Sequence, residues 1–163
     1  MTILKKCLIF FVIFSPPVCA AEIDNIKTYK LSDADTLTIA QVSLYAYQAG
    51  FKITRQRIIG NKITDIPLRM EELDDNFQLK TVDGVSVTAL DDPSFDPATG
   101  RLAFGNKDGY VAAYGYEYRL INNTFKLLKV TKSEFINCDD KTDQCDAQET
   151  IIFSANDKNA PPH

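Results

Sequence analysis

The stretch NKDGYVAAYGYEYRLINNTFKLLKV, residues 106–130, carries tyrosines at positions 110, 114, 116 and 118, and Asn122-Asn123 divides it into two runs of strand-forming residues. Side chains alternate across a pleated strand, so equal parity places Tyr110, Tyr114, Tyr116 and Tyr118 on one face. The other face carries Val111, Ala113, Gly115, Glu117, Arg119 and Ile121. A two-residue Asn-Asn connection between such runs reads as a hairpin. The tyrosine face is either core-facing, with hydroxyls reaching partners at the rim, or outward, as the rigid amphipathic rings that interfaces favour. Core-facing is the preferred reading, and neither makes the tyrosines catalysts.

Outward from this hairpin, strand signals run along most of the chain. TLTIAQVSLYAY (36–47) leads through Gln48-Ala49-Gly50 into FKITRQRII (51–59), a second hairpin, and Gly60-Asn61 marks the next turn. The Thr, Ile, Val and Tyr content of 37–47 favours a strand over a capped helix. GVSVTAL is a further strand, Pro97 and Gly100 bracket a turn, and ETIIFSA closes the pattern. Residues 66–79, IPLRMEELDDNFQL, are the one helical candidate, a turn or two after Pro67, with Glu71, Glu72, Asp74 and Asp75 as a solvated charged face. The expected fold is all-β: an antiparallel meander of about eight to ten strands with at most one short helix. Sandwich, barrel and partial propeller remain open at this point.

The chain starts MTILKKCLIFFVIFSPPVCA. Lys5 and Lys6, a short apolar run, a Pro-Pro break and small residues before Ala21 read as a signal peptide over 1–20, with export to the periplasm or beyond. The expected organisation is then one β-rich domain over 21–153 and a disordered tail over 154–163. Cleavage removes two of the eighteen bases and none of the twenty-two acids, leaving a net charge of −6. That balance argues against nucleic acid, whose phosphates need basic side chains. It argues equally against an anionic membrane surface.

Of four cysteines, Cys138 and Cys145 survive cleavage, and an even pair in an exported chain reads as a disulfide. The loop between them, DDKTDQ, carries Asp139, Asp140 and Asp143, and Asp146 follows. It lacks the glycine and terminal glutamate of a calcium loop. The only histidine is His163, in the tail. Without His in the folded body there is no Ser-His-Asp or Cys-His site and no His-based metal site. Nor is there a phosphate-cradling glycine loop. A non-enzymatic protein with no metal or cofactor is the expectation. The enzymatic alternative is a carboxylate-dependent cell-wall hydrolase using Asp91, Asp92 or Glu117.

Residues 93–136 resemble the C-terminal hairpins of exported bacterial proteins that inhibit lysozyme-like effectors. The matching positions are Pro93-x-Phe95-Asp96-Pro97, Gly100, Tyr116-x-Tyr118-Arg119 and Phe125-x-Leu127. The resemblance implies an incomplete β-propeller and a role as a periplasmic immunity protein. The family's Asp-rich loop is reduced here to Val82-Asp83-Gly84, so its calcium is not expected. An acidic, rigid β-protein would be steered toward a basic muramidase. The residues offered to such a partner are Asp139, Asp140 and Asp143 in the cysteine loop and Asp146 just after it, with Tyr114, Tyr116, Tyr118 and Arg119 on the strand. A surface or pilus-type structural subunit is the other alternative.

Overall fold

A computed structural model describes residues 25–44, 48–108, 112–139 and 144–155, and all their side chains except those of 108, 135, 137–139, 144 and 145. Among the described residues the chain is all-β, with twelve strands, no helix and two sheets that do not close into a barrel.

The first sheet is built on β1 (Ile26–Ser32), β2 (Asp35–Leu44) and β3 (Ala49–Ile59), an antiparallel meander. The far edge of β3 is shared: β4 (Lys62–Asp65) pairs with Gln56–Ile59, and β7 (Ser86–Ala89) pairs with Ala49–Lys52. The second sheet runs β6 (Leu79–Asp83), β5 (Arg69–Leu73), β11 (Thr124–Asp139), β10 (Ala112–Ile121), β9 (Arg101–Asp108) and β8 (Ser94–Asp96). β12 (Gln144–Ser154) pairs with the later part of β11, while β5 lies parallel to its start through Thr124↔Arg69 and Phe125↔Met70.

Alternation explains the core. Leu37 and Ile39 of β2, with Phe51 and Ile53 of β3, turn inward at every second position. They meet Met70, Phe95, Leu102, Phe125, Leu127 and Val130 from the second sheet in one buried cluster. Each such side chain contributes about 1.5–3 kcal/mol of burial. Phe95 packs edge-on to Tyr29 from the first sheet and to Phe125 within its own, with ring centroids 5.3 and 6.3 Å apart.

Two turns follow from local chemistry. Asn122 and Asn123 both take left-handed backbone angles (φ 48° and 65°), the primed two-residue geometry that matches strand twist. Gly100 (φ 68°) closes the β8–β9 turn, where its N–H donates to the Asp96 carbonyl.

The helix expected over 66–79 is not formed; the segment is the β5–β6 hairpin. Its acids have strand and turn work instead of a solvated helical face. Asp74 Oδ1 accepts from the N–H groups of Asn76 and Gln78 and so caps the turn. Glu71 accepts from Lys126 Nζ (2.5 Å) and from the Leu127 N–H (3.0 Å) on β11. Cross-strand partners some fifty-five residues away outweigh the weak local preference for a helix.

The signal segment 1–20, Tyr110 and the loop 140–143 lie outside the described residues, as does the tail from 156 onward. The final strand runs to Ser154, one residue past the expected domain end.

Candidate binding site

The inward face of β10 and the neighbouring strands encloses a cleft of about 370 Å³. Tyr114, Tyr116 and Tyr118 reach it from β10, Phe104 from β9, and Glu72 from β5. Phe104 sits directly opposite Tyr116 in the ladder, and their rings stack at 5.1 Å and 18°. Tyr118 stacks on the same ring at 5.8 Å and 8°. A β-bulge between Glu117 and Tyr118 adds twist here, where β10 pairs with β11.

Depth along the strand grades the tyrosines. Tyr118 is only 3% exposed and belongs to the core, whereas Tyr116 and Tyr114 are half-buried on the cleft wall. Burial pushes the Tyr118 phenol well above its ordinary range, reinforced by Tyr116 and by the negative charges of Glu72 and Glu71. It therefore stays a neutral phenol in a locally negative field.

At the mouth stand Asp74 and Phe77, in the β5–β6 turn. Phe77 has a left-handed backbone (φ 58°) and is 51% exposed. A bulky residue at positive φ is uncommon and costs about 1–2 kcal/mol. The fold thus holds an aromatic ring at the mouth in a position better suited to glycine.

No protein-family model, curated protein or solved structure matches the chain. The site must therefore be read from its own chemistry. Among the described residues the cleft lining contains two carboxylates, Glu72 and Asp74, four aromatic rings besides Phe77, and no Lys, Arg, His or Cys. Glu72 faces Lys80 at 3.6 Å across the hairpin. Among the described residues no three His, Cys, Asp or Glu side chains are placed to hold a metal. Ring faces beside carboxylates suit a flat or cationic group, held by stacking and cation–π attraction.

The sequence-expected contact residues divide. Tyr114 and Tyr116 line the cleft together. Tyr118 is corrected to a core residue, since its near-complete burial leaves no surface for a partner. Arg119 is exposed on the opposite face of β10. There it lies between Arg101 and Lys126 in the ladder, and these two cations have their own acids, Glu117 and Glu71.

Asp146 is exposed on β12 opposite Ile136. The backbone of Asp139 ends β11, opposite Gln144; its side chain and those of Cys138 and Cys145 lie outside the described set, as do Asp140 and Asp143 entirely. Asp91 and Asp92 line a separate depression, with Asp92 held by Lys27 (2.8 Å) and Asn25 (2.5 Å). Glu117 pairs with Arg101 on the outer sheet face instead of joining them.

Sequence reasoning missed Phe104, Phe77 and Glu72 as cleft residues. It also missed a network in which Asp35 meets Arg55 and Arg57, beyond Ile53 along β3. The equal parity of Arg55 and Arg57 with Phe51 and Ile53 was the available signal, because it aims both arginines along the core face.

Proposed function

We propose that this chain is an exported binding protein that blocks a lysozyme-like cell-wall hydrolase in the periplasm, as an inhibitor or immunity protein. The observation that carries the reading is the aromatic cleft lined by Glu72 and Asp74, with no base in its lining among the described residues. A basic partner has lysine and arginine side chains to offer, and this slot suits them. The acidic balance of the chain steers such a partner in before contact. The leader-like N-terminus and the resemblance over 93–136 support export and this class of target.

In this reading Tyr114 and Tyr116 are the ring contacts, and Arg119, on the other face of β10, is left to a contact outside the cleft. The reading assigns Asp139, Asp140 and Asp143 to a segment closed by a Cys138–Cys145 disulfide, with Asp146 just beyond it, and such a closure would lower the entropy cost of docking. The protein acts by occlusion and needs no cofactor.

The test is capture from periplasmic extract followed by muramidase assays on what is recovered. A hydrolase should bind and lose lytic activity. Tyr114→Ala should weaken that inhibition about thirtyfold, the loss expected of a buried aromatic contact worth about 2 kcal/mol. Recovery of no hydrolase, together with undiminished lysis across a panel of muramidases, refutes the reading.

A further inference from the structure

Arg55 and Arg57 extend the inward row of β3 past Phe51 and Ile53, away from the tyrosine cleft, whose lining includes neither. Between them lies Asp35, a charged residue only 4% exposed. Arg55 binds it as a fork, Nε to Oδ1 at 2.9 Å and Nη2 to Oδ2 at 2.7 Å. Arg57 adds Nε and Nη2 to the same Oδ2, at 2.9 and 2.6 Å. Arg55 Nη1 donates across to Asn123 Oδ1 at 2.6 Å, in the β10–β11 turn. Arg57 Nη1 makes no hydrogen bond among the described residues.

The charges do not balance. Two guanidiniums share one carboxylate, and the second sheet supplies only a neutral amide. In front of the pair is a pocket of about 550 Å³ whose lining, among the described residues, includes both arginines and no acid; the Asp96 carboxylate stands behind the lining residue Thr99, which donates to it. Its remaining wall is neutral, with Thr99, Asn122 and Asn123 on the polar side and Leu31, Pro97 and Leu120 on the apolar side. The chain as a whole is acidic, so a positive pocket here is not a by-product of general basicity. Like charges held side by side repel, and the repulsion is relieved by one further anion.

We infer that this pocket is a second binding site, for an organic carboxylate. One uncompensated positive charge calls for a monoanion, which makes a dianionic phosphate the poorer match. The planar fork of a guanidinium fits a carboxylate in particular. The apolar wall accommodates the organic body attached to it. Arg57, with its spare nitrogen and its side chain 44% exposed, makes the first contact, and Arg55 and Asp35 hold it in place. The inference stands independently of the inhibitor reading, which concerns the other end of the molecule.

Arginine Nε–H resonances of the isotope-labelled protein report the site directly. Acetate is titrated at constant ionic strength, then a short acetylated peptide with a free C-terminus, then the same peptide as its amide. The Arg55 and Arg57 signals should move and saturate with the two carboxylates, while Arg101 stays put and the amide has no effect. Peptide acid binding about tenfold tighter than acetate identifies a chain terminus as the ligand, and equal affinities identify small carboxylates. Arg57→Gln should weaken either by about tenfold or more, and Arg57→Lys, which keeps the charge without the fork, by less. Linear shifts shared with Arg101, an equal response to the amide, or undiminished binding by both variants overturns the inference. A purely structural network would give that last result together with lowered thermal stability.

Discussion

Replacing Asp35 with asparagine keeps the shape of the side chain and removes its charge. The side chains of Asp35 and Arg55 are 6% and 13% exposed, so the substitution leaves a nearly buried guanidinium without its counter-ion. Breaking a buried pair from one side costs about 3–5 kcal/mol. The surviving Asn123 contact and the solvent around Arg57 place Asp35→Asn near the lower end, about 3 kcal/mol. For a domain of this size that is a fall in Tm of about 10 °C. Arg57→Ala removes the more exposed cation and leaves the Arg55 fork intact, so it should cost only about 1 kcal/mol.

The loss also has a pH signature. The Arg55 hydrogen bonds, and then those of Arg57, hold the Asp35 carboxyl below its ordinary range, against the opposing effect of burial. A depressed folded-state value means stabilisation that is complete above the unfolded value of about 3.9 and disappears as pH falls through the folded one. Urea unfolding at pH 7 should therefore separate the wild type from Asp35→Asn by the full amount, and the gap should start to close below about pH 4 and vanish only once pH is beneath the lowered folded-state value. A variant within about 0.5 kcal/mol of wild type at pH 7, or as costly as it is neutral in its pH dependence, would refute the account of Asp35 as a buried anchor.

Phe77→Gly should stabilise the protein by about 1 kcal/mol, because glycine takes a positive φ without strain; denaturant midpoints check this, and a loss of stability would mean the exposed ring packs better than its 51% exposure implies. The same variant should bind the captured hydrolase more weakly. Cys138 and Cys145 should be unreactive to thiol reagents in the exported protein and reactive after reduction, with a stability loss of about 2–3 kcal/mol. Two free thiols in the native protein would remove the disulfide from the argument.

How much could be read in advance follows the range of the interactions. Alternation at Leu37, Ile39, Phe51 and Ile53 is local, as are the turn residues Gly100, Asn122 and Asn123, and the strands and hairpins follow from them. The tyrosine parity was equally legible, but not which way it faced. That depends on Phe104 lying opposite Tyr116 and on the first sheet covering the row, neither visible within the strand itself. The helix expected at 66–79 failed for the same reason: Glu71 answers to Lys126 and Leu127, far along the chain. Nothing local marks Asp35, because its partners stand twenty and twenty-two residues away.

The sixteen residues of β11 touch β10 along one side and both β5 and β12 along the other. The β5–β6 hairpin therefore has no edge to dock on until chain from the 120s onward is available, whereas the β1–β4 meander needs nothing beyond residue 65. The β8–β12 meander is equally local, so the step gated by loop closure over more than fifty residues is the docking of the β5–β6 hairpin on β11. Asp74 and Phe77 at the mouth of the tyrosine cleft travel with that hairpin, so competence to grip a ligand there waits on its docking.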